Sequence, residues 1–432
     1  MSWEAADWVR GLALVVAVGV PLHALRVRGR TYAIFSAVVL AFSLPGALVS
    51  HARLAAWAGP EWRPWLHAAF AYGVAAMGVH MAHLVRARLR GRSFRGLVSV
   101  PGQAFTAAGF MAAWWLLALL PVRVALDLAD AQGVLSAMRW LDLAPFLLAA
   151  VSVATSVRPA DEWVRIHLAG AGDHAPEEMA RVPVQRYRRR APTPLEQRPL
   201  RVVQITDPHL GPWQPVARLR RHVERLLAHD PDLVLLTGDF LTMEGMGSPG
   251  ALAESLAPLR RVAGRSYAIF GNHDHEAPEE VRSALSACGV RLLVDEEVVA
   301  QTPVGPVQIL GADYVGRGRR EHLRNLLARH PRRDGHLRLL LLHDPLGFRH
   351  VPDGAADLTL SGHTHGGQVG LVSLGLDWTV LQRSRWPDHG LFALGGNRLY
   401  VHRGTGFYGF PLRIGVPGEL SVLELVPAPA AG

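Results

Sequence analysis

Five short polar motifs in the C-terminal half of the chain have residue types that bind metal ions. Each of the first four directly follows a short apolar run of the kind that forms a buried strand, and the fifth follows a weaker run at residues 357–360. Strand ends are where an α/β sheet gathers side chains from distant parts of the chain, so we expect one common site. The repeated Asp, His and Asn indicate a centre with two metal ions rather than one. The motifs are Asp207-Pro208-His209, Gly238-Asp239, Gly271-Asn272-His273-Asp274, His343-Asp344 and Gly362-His363-Thr364-His365.

The residue types suggest how such ions would be held. Asp207 and His209, two residues apart in a turn, can converge on one ion, and the carboxylate of Asp239 can bridge two. Asn272 offers a neutral amide oxygen. Two dications roughly 3.5–4 Å apart can share a water-derived nucleophile and bind a phosphoryl group. Oxygen and nitrogen ligands without thiolate favour Mn²⁺, Fe or Zn²⁺ and argue against Cu(I) or an Fe–S cluster. Imidazoles would come from His343, His363 and His365.

Segments that resemble strands and helices alternate from residue 200 to the C-terminus. Helices are predicted after the first three strands, at about residues 216–228, 251–262 and 279–288, and another near 321–329. This alternation is typical of a layered α/β domain, which we assign to residues 200–432.

Residues 1–157 are predicted to form an all-α membrane domain. Three segments, roughly 31–50, 66–85 and 104–122, are apolar enough to span a bilayer, which takes about 20 residues. Two shorter candidates, near 11–25 and 143–157, could instead be interfacial. About five spans are therefore expected, with four as the alternative. The spans show no inverted repeat, and no acidic residue is expected in mid-membrane.

Arginine placement predicts the orientation of these spans. The loop at residues 26–30 and the stretch at 86–95 are basic, so the positive-inside rule places both in the cytoplasm. With five spans the C-terminal domain is also cytoplasmic, whereas four spans would place it outside. Residues 158–199 are assigned to an Arg- and Pro-rich linker. Its Arg188–Arg190 run is interpreted as a solvated flank or a contact with anionic lipid.

Composition excludes several kinds of chemistry. The chain has 432 residues and a formal charge of +9, and all 45 basic residues are arginine, so a Schiff-base or P-loop lysine is impossible. Cys288 is the one cysteine, which excludes an intrachain disulfide and a Cys-based zinc site; we interpret it as a small buried hydrophobe. The sequence contains no recognisable nucleic-acid-binding motif, so no nucleic-acid partner is expected.

Through these motifs the chain resembles the calcineurin-like metallophosphoesterases over about residues 200–426. The segment from Ser361 to Gln368 and the ending Tyr400-Val401-His402-Arg403-Gly404-Thr405-Gly406 look like the membrane-associated bacterial branch. The resemblance implies a four-layer α/β/β/α sandwich. It also implies in-line attack on phosphorus by a hydroxide that bridges two metal ions.

The resemblance also implies a role for each site residue. Asp207, His209 and His365 would hold one ion; Asn272, His343 and His363 would hold the other, and Asp239 would bridge them. His273 would stabilise or protonate the leaving oxygen, and Asp274 would orient its ring.

Three departures from the family pattern concern specificity rather than metal binding. Glu244 is the only acidic residue soon after Gly-Asp, His275 replaces a frequent aromatic residue, and Pro417-Gly418-Glu419 interrupts a late Pro-Glu pair. Arg317, Arg319 and Arg320 are interpreted as a solvated loop and helix start, with contact to a substrate phosphate as the alternative.

The resulting hypothesis is a membrane-anchored phosphohydrolase with two divalent ions. Its expected partners are the lipid bilayer and a phosphorylated small molecule or lipid; the oligomeric state stays open. Two alternatives make the phosphoesterase-like domain regulatory: a membrane sensor or transport protein, and a metal-dependent scaffold.

Overall fold

The computed structural model describes residues 5–168, 178–187 and 198–426. The chain folds into two compact units: residues 1–154 with 409–412, and residues 155–408 with 413–432. The first is called the membrane unit and the second the phosphoesterase unit. The Arg188–Arg190 run lies outside the described residues.

Helices form most of the described part of the membrane unit. It contains five helical segments long and apolar enough to cross a bilayer, as the sequence predicted: Ala5–Val27, Arg30–Trp57, Arg63–Arg86, Arg92–Leu128 and Gln132–Ser156. The α-helices within them are α1 (Ala5–Val27), α2 (Arg30–Trp57), α3 (Arg63–His83), α4 (Arg92–Phe94), α5 (Val100–Leu128), α6 (Gln132–Ala137) and α7 (Ala144–Ser156).

Small residues allow α2 and α5 to pack closely. A Cβ atom on Gly46 would lie 2.2 Å from the carbonyl oxygen of Gly109. A larger residue at position 46 would therefore push the two helices apart. Close backbone approach of this kind is how helices associate where lipid removes the hydrophobic driving force.

Among the described residues of the candidate spans, one acidic side chain is buried, contrary to expectation. Asp142 is buried inside Gln132–Ser156, with its carboxylate oxygens 2.9 Å from Nε of Arg53 and 2.6 Å from Nη2 of Arg123. A charge removed from water persists when it is paired, so the two arginines account for its burial.

The phosphoesterase unit contains two seven-stranded sheets. In spatial order, the first sheet comprises β3 (Gln185–Tyr187), β1 (Ala160–His167), β14 (Glu419–Val426), β4 (Leu200–Ile205), β5 (Leu233–Leu236), β6 (Ser266–Ala268) and β7 (Arg291–Leu292). The second comprises β2 (Ala180–Val182), β12 (Gly390–Leu394), β13 (Asn397–Val401), β11 (Leu358–Ser361), β10 (Leu337–Leu342), β9 (Gly305–Ala312) and β8 (Glu296–Thr302). Helices α8 (Val216–Leu227), α9 (Met243–Met246), α10 (Ala251–Leu256), α11 (Pro278–Ala287) and α12 (Arg319–Arg329) complete the unit.

Both sheets are mixed, with parallel centres. Strands β4 to β7 are parallel to one another, as are β9, β10, β11 and β13, while β14, β12 and β8 add antiparallel pairs. Parallel sheets need both faces covered, and this explains the continuous apolar runs that predicted the strands.

Alternate residues of β10 face the two cores of the unit. Leu339 and Leu341 belong to the core between the sheets, together with Val202 of β4. Leu340 and Leu342 pack instead in a second core that includes residues of α12. The expected four-layer α/β/β/α sandwich is confirmed.

The expected linker differs from the structure. Residues 160–167 form β1, which pairs in parallel with β14 over eight residues from Ala160–Glu419 to His167–Val426. Strands β2 and β3 pair with β12 and β1. The partners of β1 and β2, which are β14 and β12, lie more than 200 residues away in the chain, so a local sequence pattern does not reveal these pairings.

Candidate dinuclear metal site

The structure brings all five polar motifs to the carboxyl ends of parallel strands. Asp207 and His209 follow β4, Asp239 follows β5, and Asn272 follows β6. The second sheet contributes the remaining motifs from β10 and β11. The site thus draws on both sheets, which explains how residues from 207 to 365 meet. The residues that follow β10 and β11 are His343, His363 and His365.

The first cluster contains Asp207, His209 and His365, all buried, with one donor atom from each within 4.8 Å of the others. Nε2 of His365 lies 3.3 Å from Oδ1 of Asp207 and 3.2 Å from Nε2 of His209. Three donor atoms with lone pairs therefore point at a common region.

The second cluster contains Asp239, His343 and His363, again within 4.8 Å of one another. Nε2 of His343 lies 3.3 Å from Oδ2 of Asp239 and 3.2 Å from both Nδ1 of His363 and Oδ1 of Asn272. The amide oxygen of Asn272 thereby joins this cluster.

Asp239 lies between the two clusters. Its Oδ2 atom is 3.8 Å from Nε2 of His209 in the first cluster and 3.3 Å from Nε2 of His343 in the second. Donor atoms separated by such distances can belong to the coordination sphere of one ion, so one carboxylate could serve two ions.

The backbone at the site is strained. Among the described residues, nine other than glycine have a positive φ, and five of them are predicted metal ligands. Residues in this region cost free energy and persist where the surroundings demand them, typically at functional sites. The five are Asp207 (φ 49°), His209 (45°), Asp239 (59°), His363 (69°) and His365 (51°).

Two glycines let the motif loops approach one another. A Cβ atom on Gly362 would lie 2.2 Å from Oδ2 of Asp207. Gly238 has φ of 91°, and a Cβ atom there would lie 2.3 Å from the backbone nitrogen of Gly271. The glycines of Gly-Asp and Gly-His-x-His are therefore required by packing at the site.

The electrostatics of the clusters fit cation binding. Burial lowers the pKa of His209 to about 3 and that of His363 to about 4, so both imidazoles are neutral at pH 7. Burial alone would also lower the pKa of His343, but the adjacent Asp239 raises it to about 10. A proton on His343 thus balances the carboxylate, and a metal ion at this position would replace that positive charge.

Backbone and side-chain contacts orient the ligands. Nδ1 of His343 donates to the carbonyl oxygen of Thr237 at 2.7 Å, which turns Nε2 toward the cluster. Thr206 Oγ1 donates to Oδ2 of Asp207 at 2.7 Å. The buried Arg413 donates to the carbonyl oxygen of His365 at 3.0 Å.

The contacts of Asp274 differ from the expected orientation of His273. The carboxylate of Asp274 is fully buried and accepts from the backbone N–H groups of Asp239, Phe240 and Gly271 at 2.7–2.8 Å. The ring of His273 instead has Nδ1 2.8 Å from Oε1 of Glu276. Asp274 therefore holds the Asp239 loop, a structural role that residue order alone does not distinguish.

Aromatic residues absent from the motif analysis flank the site. The Tyr408 ring stacks on that of His273, with centroids 4.2 Å apart and planes 12° apart. Tyr314 approaches His343 and His363, with centroids 6.3 Å and 6.5 Å away. No sequence periodicity places either tyrosine here.

Of the three arginines considered for phosphate contact, Arg319 is engaged within the protein. Its Nη2 lies 2.7 Å from Oδ2 of Asp344, and its guanidinium lies 5.9 Å from the Tyr314 ring centroid. It borders the site rather than facing solvent freely.

The three departures from the family pattern have local explanations. Glu244 accepts from Thr242 Oγ1 at 3.0 Å, and Nε2 of His275 lies 3.0 Å from Oδ1 of Asp313. Glu419 is buried and accepts from the backbone nitrogen of Arg403 at 3.2 Å.

Cys288 is buried, as expected.

Comparison with known proteins finds relatives that are named as a phosphodiesterase and as metallophosphoesterases. Phosphodiesterase YaeI of Escherichia coli (strain K12) is 29% identical over 233 residues, covering 53% of this chain and 83% of the relative. An uncharacterized metallophosphoesterase of Helicobacter pylori (strain J99 / ATCC 700824) is 30% identical over 233 residues, covering 53% of this chain and 60% of the relative.

A third relative matches a larger share of the chain. The transmembrane protein with metallophosphoesterase domain of Bos taurus is 26% identical over 325 residues, covering 69% of this chain and 66% of the relative. That share exceeds the residues from 200 onward, so the similarity extends into the preceding part of the chain.

Residues 200–367, which contain every predicted ligand, match the family model described as Calcineurin-like phosphoesterase. The family match, the phosphodiesterase-named relative and the two Asp/His clusters together identify a metal-dependent phosphoesterase domain. Residues 200–367 of the chain are therefore a domain similar to the calcineurin-like phosphoesterases.

Proposed function

We propose that the protein is a membrane-anchored phosphohydrolase with two divalent metal ions, acting on a phosphoester or pyrophosphate of a lipid-linked substrate. The position of Asp239 between two clusters of buried Asp and His residues carries this proposal. Buried polar groups that converge without a shared partner would be costly.

The ligands divide between the ions as the clusters do. Asp207, His209 and His365 would hold one ion. Asn272, His343 and His363 would hold the other, and Asp239 would contact both. When bound, two such ions activate a water molecule and neutralise negative charge on the phosphoryl oxygens. The oxygen and nitrogen donors suit Mn²⁺, Fe or Zn²⁺.

His273 is assigned to the leaving group. Its side chain is 23% exposed, so a substrate can reach it, and Nδ1 is paired with Glu276. That pairing leaves Nε2 as the ring nitrogen from which a proton can pass to the departing oxygen. Tyr408 limits rotation of the ring by covering one face.

The membrane unit supports a lipid-linked substrate on the cytoplasmic side. Five candidate spans and the basic segments at residues 26–30 and 86–95 favour an external N-terminus and a cytoplasmic phosphoesterase unit. A site tethered to a bilayer meets phosphorylated lipids more often than a free enzyme would. A reporter fused to the C-terminus tests the orientation: activity of a periplasm-specific reporter would contradict it.

The proposed function is tested with full-length protein purified in detergent. The protein is stripped with a chelator, reloaded separately with Mn²⁺, Fe²⁺ or Zn²⁺, and assayed on phosphomonoesters, phosphodiesters and lipid pyrophosphates with metal content measured in parallel. We expect about two ions per chain and turnover that returns only with metal. Full loading without turnover of any substrate would refute the catalytic assignment.

A further inference from the structure

The phosphoesterase unit exposes large apolar side chains in one short segment. Among the residues that the structure describes in this unit, all the exposed large hydrophobic side chains lie between positions 371 and 380, here called the apolar loop. Soluble surfaces rarely concentrate apolar groups in this way unless they bind something. The side chains are Leu371 (38% exposed), Leu374 (73%), Leu376 (54%), Trp378 (44%) and Val380 (52%).

The backbone of the apolar loop is held in place by hydrogen bonds. Leu371 N donates to the carbonyl oxygen of Trp378 at 2.9 Å, and Val380 N donates to that of Val369 at 3.0 Å. Ser373 N donates to the carbonyl oxygen of Gly415 at 2.8 Å. The apolar side chains are therefore presented outward by an ordered backbone.

Charge around the apolar loop favours an anionic partner. Arg383 and Arg385 follow it, with the Arg385 guanidinium 4.6 Å from the centroid of the Trp386 ring. Asp377 is the one acidic residue within the loop. Leucines at a tip, tryptophan beside them and arginine at the rim form the composition of segments that enter the lipid headgroup region.

We propose that the apolar loop inserts into the headgroup region of an anionic lipid bilayer. A bilayer is the occupant favoured over a protein because the same chain carries five candidate spans, which keep lipid at high local concentration. The loop begins six residues after His365, a residue of the first cluster. Insertion would hold that edge of the site near lipid phosphates. This consequence rests on the proposed function, whereas the insertion itself is independent of it.

Site-directed fluorescence on the full-length protein tests this proposal. With Cys288 replaced by serine, a bimane label is placed at Leu374→Cys or, as the control, at Asp334→Cys, an exposed residue just before the start of β10. Both variants are reconstituted in nanodiscs containing phosphatidylglycerol and headgroup-proximal spin-labelled lipid. We expect at least about threefold stronger quenching at position 374, weakened when phosphatidylglycerol is replaced by phosphatidylcholine.

Equal quenching at the two positions would overturn the proposal. A second result would also overturn it: the protein has the mass of a dimer, and the label at position 374 is shielded from both lipid and soluble quencher. A second copy of the chain would then cover the apolar loop. A second variant combines Leu374→Ser with Leu376→Ser and carries the label at Trp378→Cys. In this variant the label should no longer be quenched more strongly than the label at the control position 334. The same pair should retain turnover of a water-soluble ester, so a failure of insertion is distinguishable from a failure of catalysis.

Discussion

The phenol ring of Tyr408 lies parallel to the imidazole of His273, with 4.2 Å between the ring centroids. The same ring meets His209 edge-on at 5.2 Å. One aromatic side chain therefore contacts both the proposed leaving-group residue and a proposed metal ligand, which couples the position of the general acid to the first cluster.

Replacing Tyr408 should separate ring stacking from the phenol hydroxyl. An aromatic contact of this kind is worth about 0.5–1.5 kcal/mol, so Tyr408→Ala should lower kcat roughly 2- to 10-fold while metal content is unchanged. Tyr408→Phe keeps the stacked ring and should retain kcat. Steady-state kinetics with metal analysis checks this; equal losses in both variants would show that the hydroxyl matters instead.

Glu276→Gln should affect catalysis in proportion to the basicity of the leaving group. Glu276 pairs with Nδ1 of His273, so its loss weakens proton donation, which an alkyl leaving group needs and p-nitrophenolate does not. Because the carboxylate is 53% exposed, we expect a reduction of only a few-fold with alkyl esters. Glu279→Gln, at a nearby glutamate of α11, is the matched control. A uniform effect on both ester types would contradict the assignment.

Asp239→Asn should disrupt both clusters at once. Removing the charge shared between them should reduce bound metal below two ions per chain and lower kcat by more than ~100-fold, since even outer-shell changes cost 10- to 100-fold. Glu244→Gln is the control, because Glu244 contacts Thr242 and belongs to neither described cluster. Metal analysis and circular dichroism on both variants decide between loss of ligation and misfolding.

The phosphoesterase unit should lose stability on mild acidification through His222. Burial, followed by the charges of Arg225, Arg218 and Arg221, lowers the pKa of His222 to about 4 from 6.5. As the pH falls, His222 therefore binds a proton in the unfolded chain before it does so in the folded protein. The contribution of neutral His222 to stability is lost as pH falls from about 6.5 to about 4. The loss amounts to at most about 3 kcal/mol of unfolding free energy.

His222→Gln removes this titration. The melting temperature of the variant should fall less between pH 7 and pH 5 than that of the parent protein. Differential scanning fluorimetry at matched ionic strength measures both, and parallel pH profiles would show that other groups set the acid sensitivity.

The sequence predicts the strands and helices near the site wherever the local hydrophobic pattern matches the burial of the residues in the fold. The apolar runs that precede Gly238-Asp239 and His343-Asp344 are observed as the strands Leu233–Leu236 and Leu337–Leu342, because parallel strands covered on both faces appear in the sequence as continuous apolar runs. Residues 160–167 were expected in a linker, yet they form β1 because β14, far away in sequence, supplies its hydrogen-bond partner. Such pairing depends on tertiary context that a local pattern does not contain.

The amino-acid sequence by itself was enough to propose seven ligands, from Asp207 to His365, because metal chemistry restricts residue type and strand ends restrict position. It also determined the apolar helices, because a bilayer demands length and apolarity. Only the tertiary structure decided that Glu276 rather than Asp274 pairs with His273, and that Tyr408 covers its ring. These are contacts among side chains whose spacing follows no period, so the folded packing alone sets them.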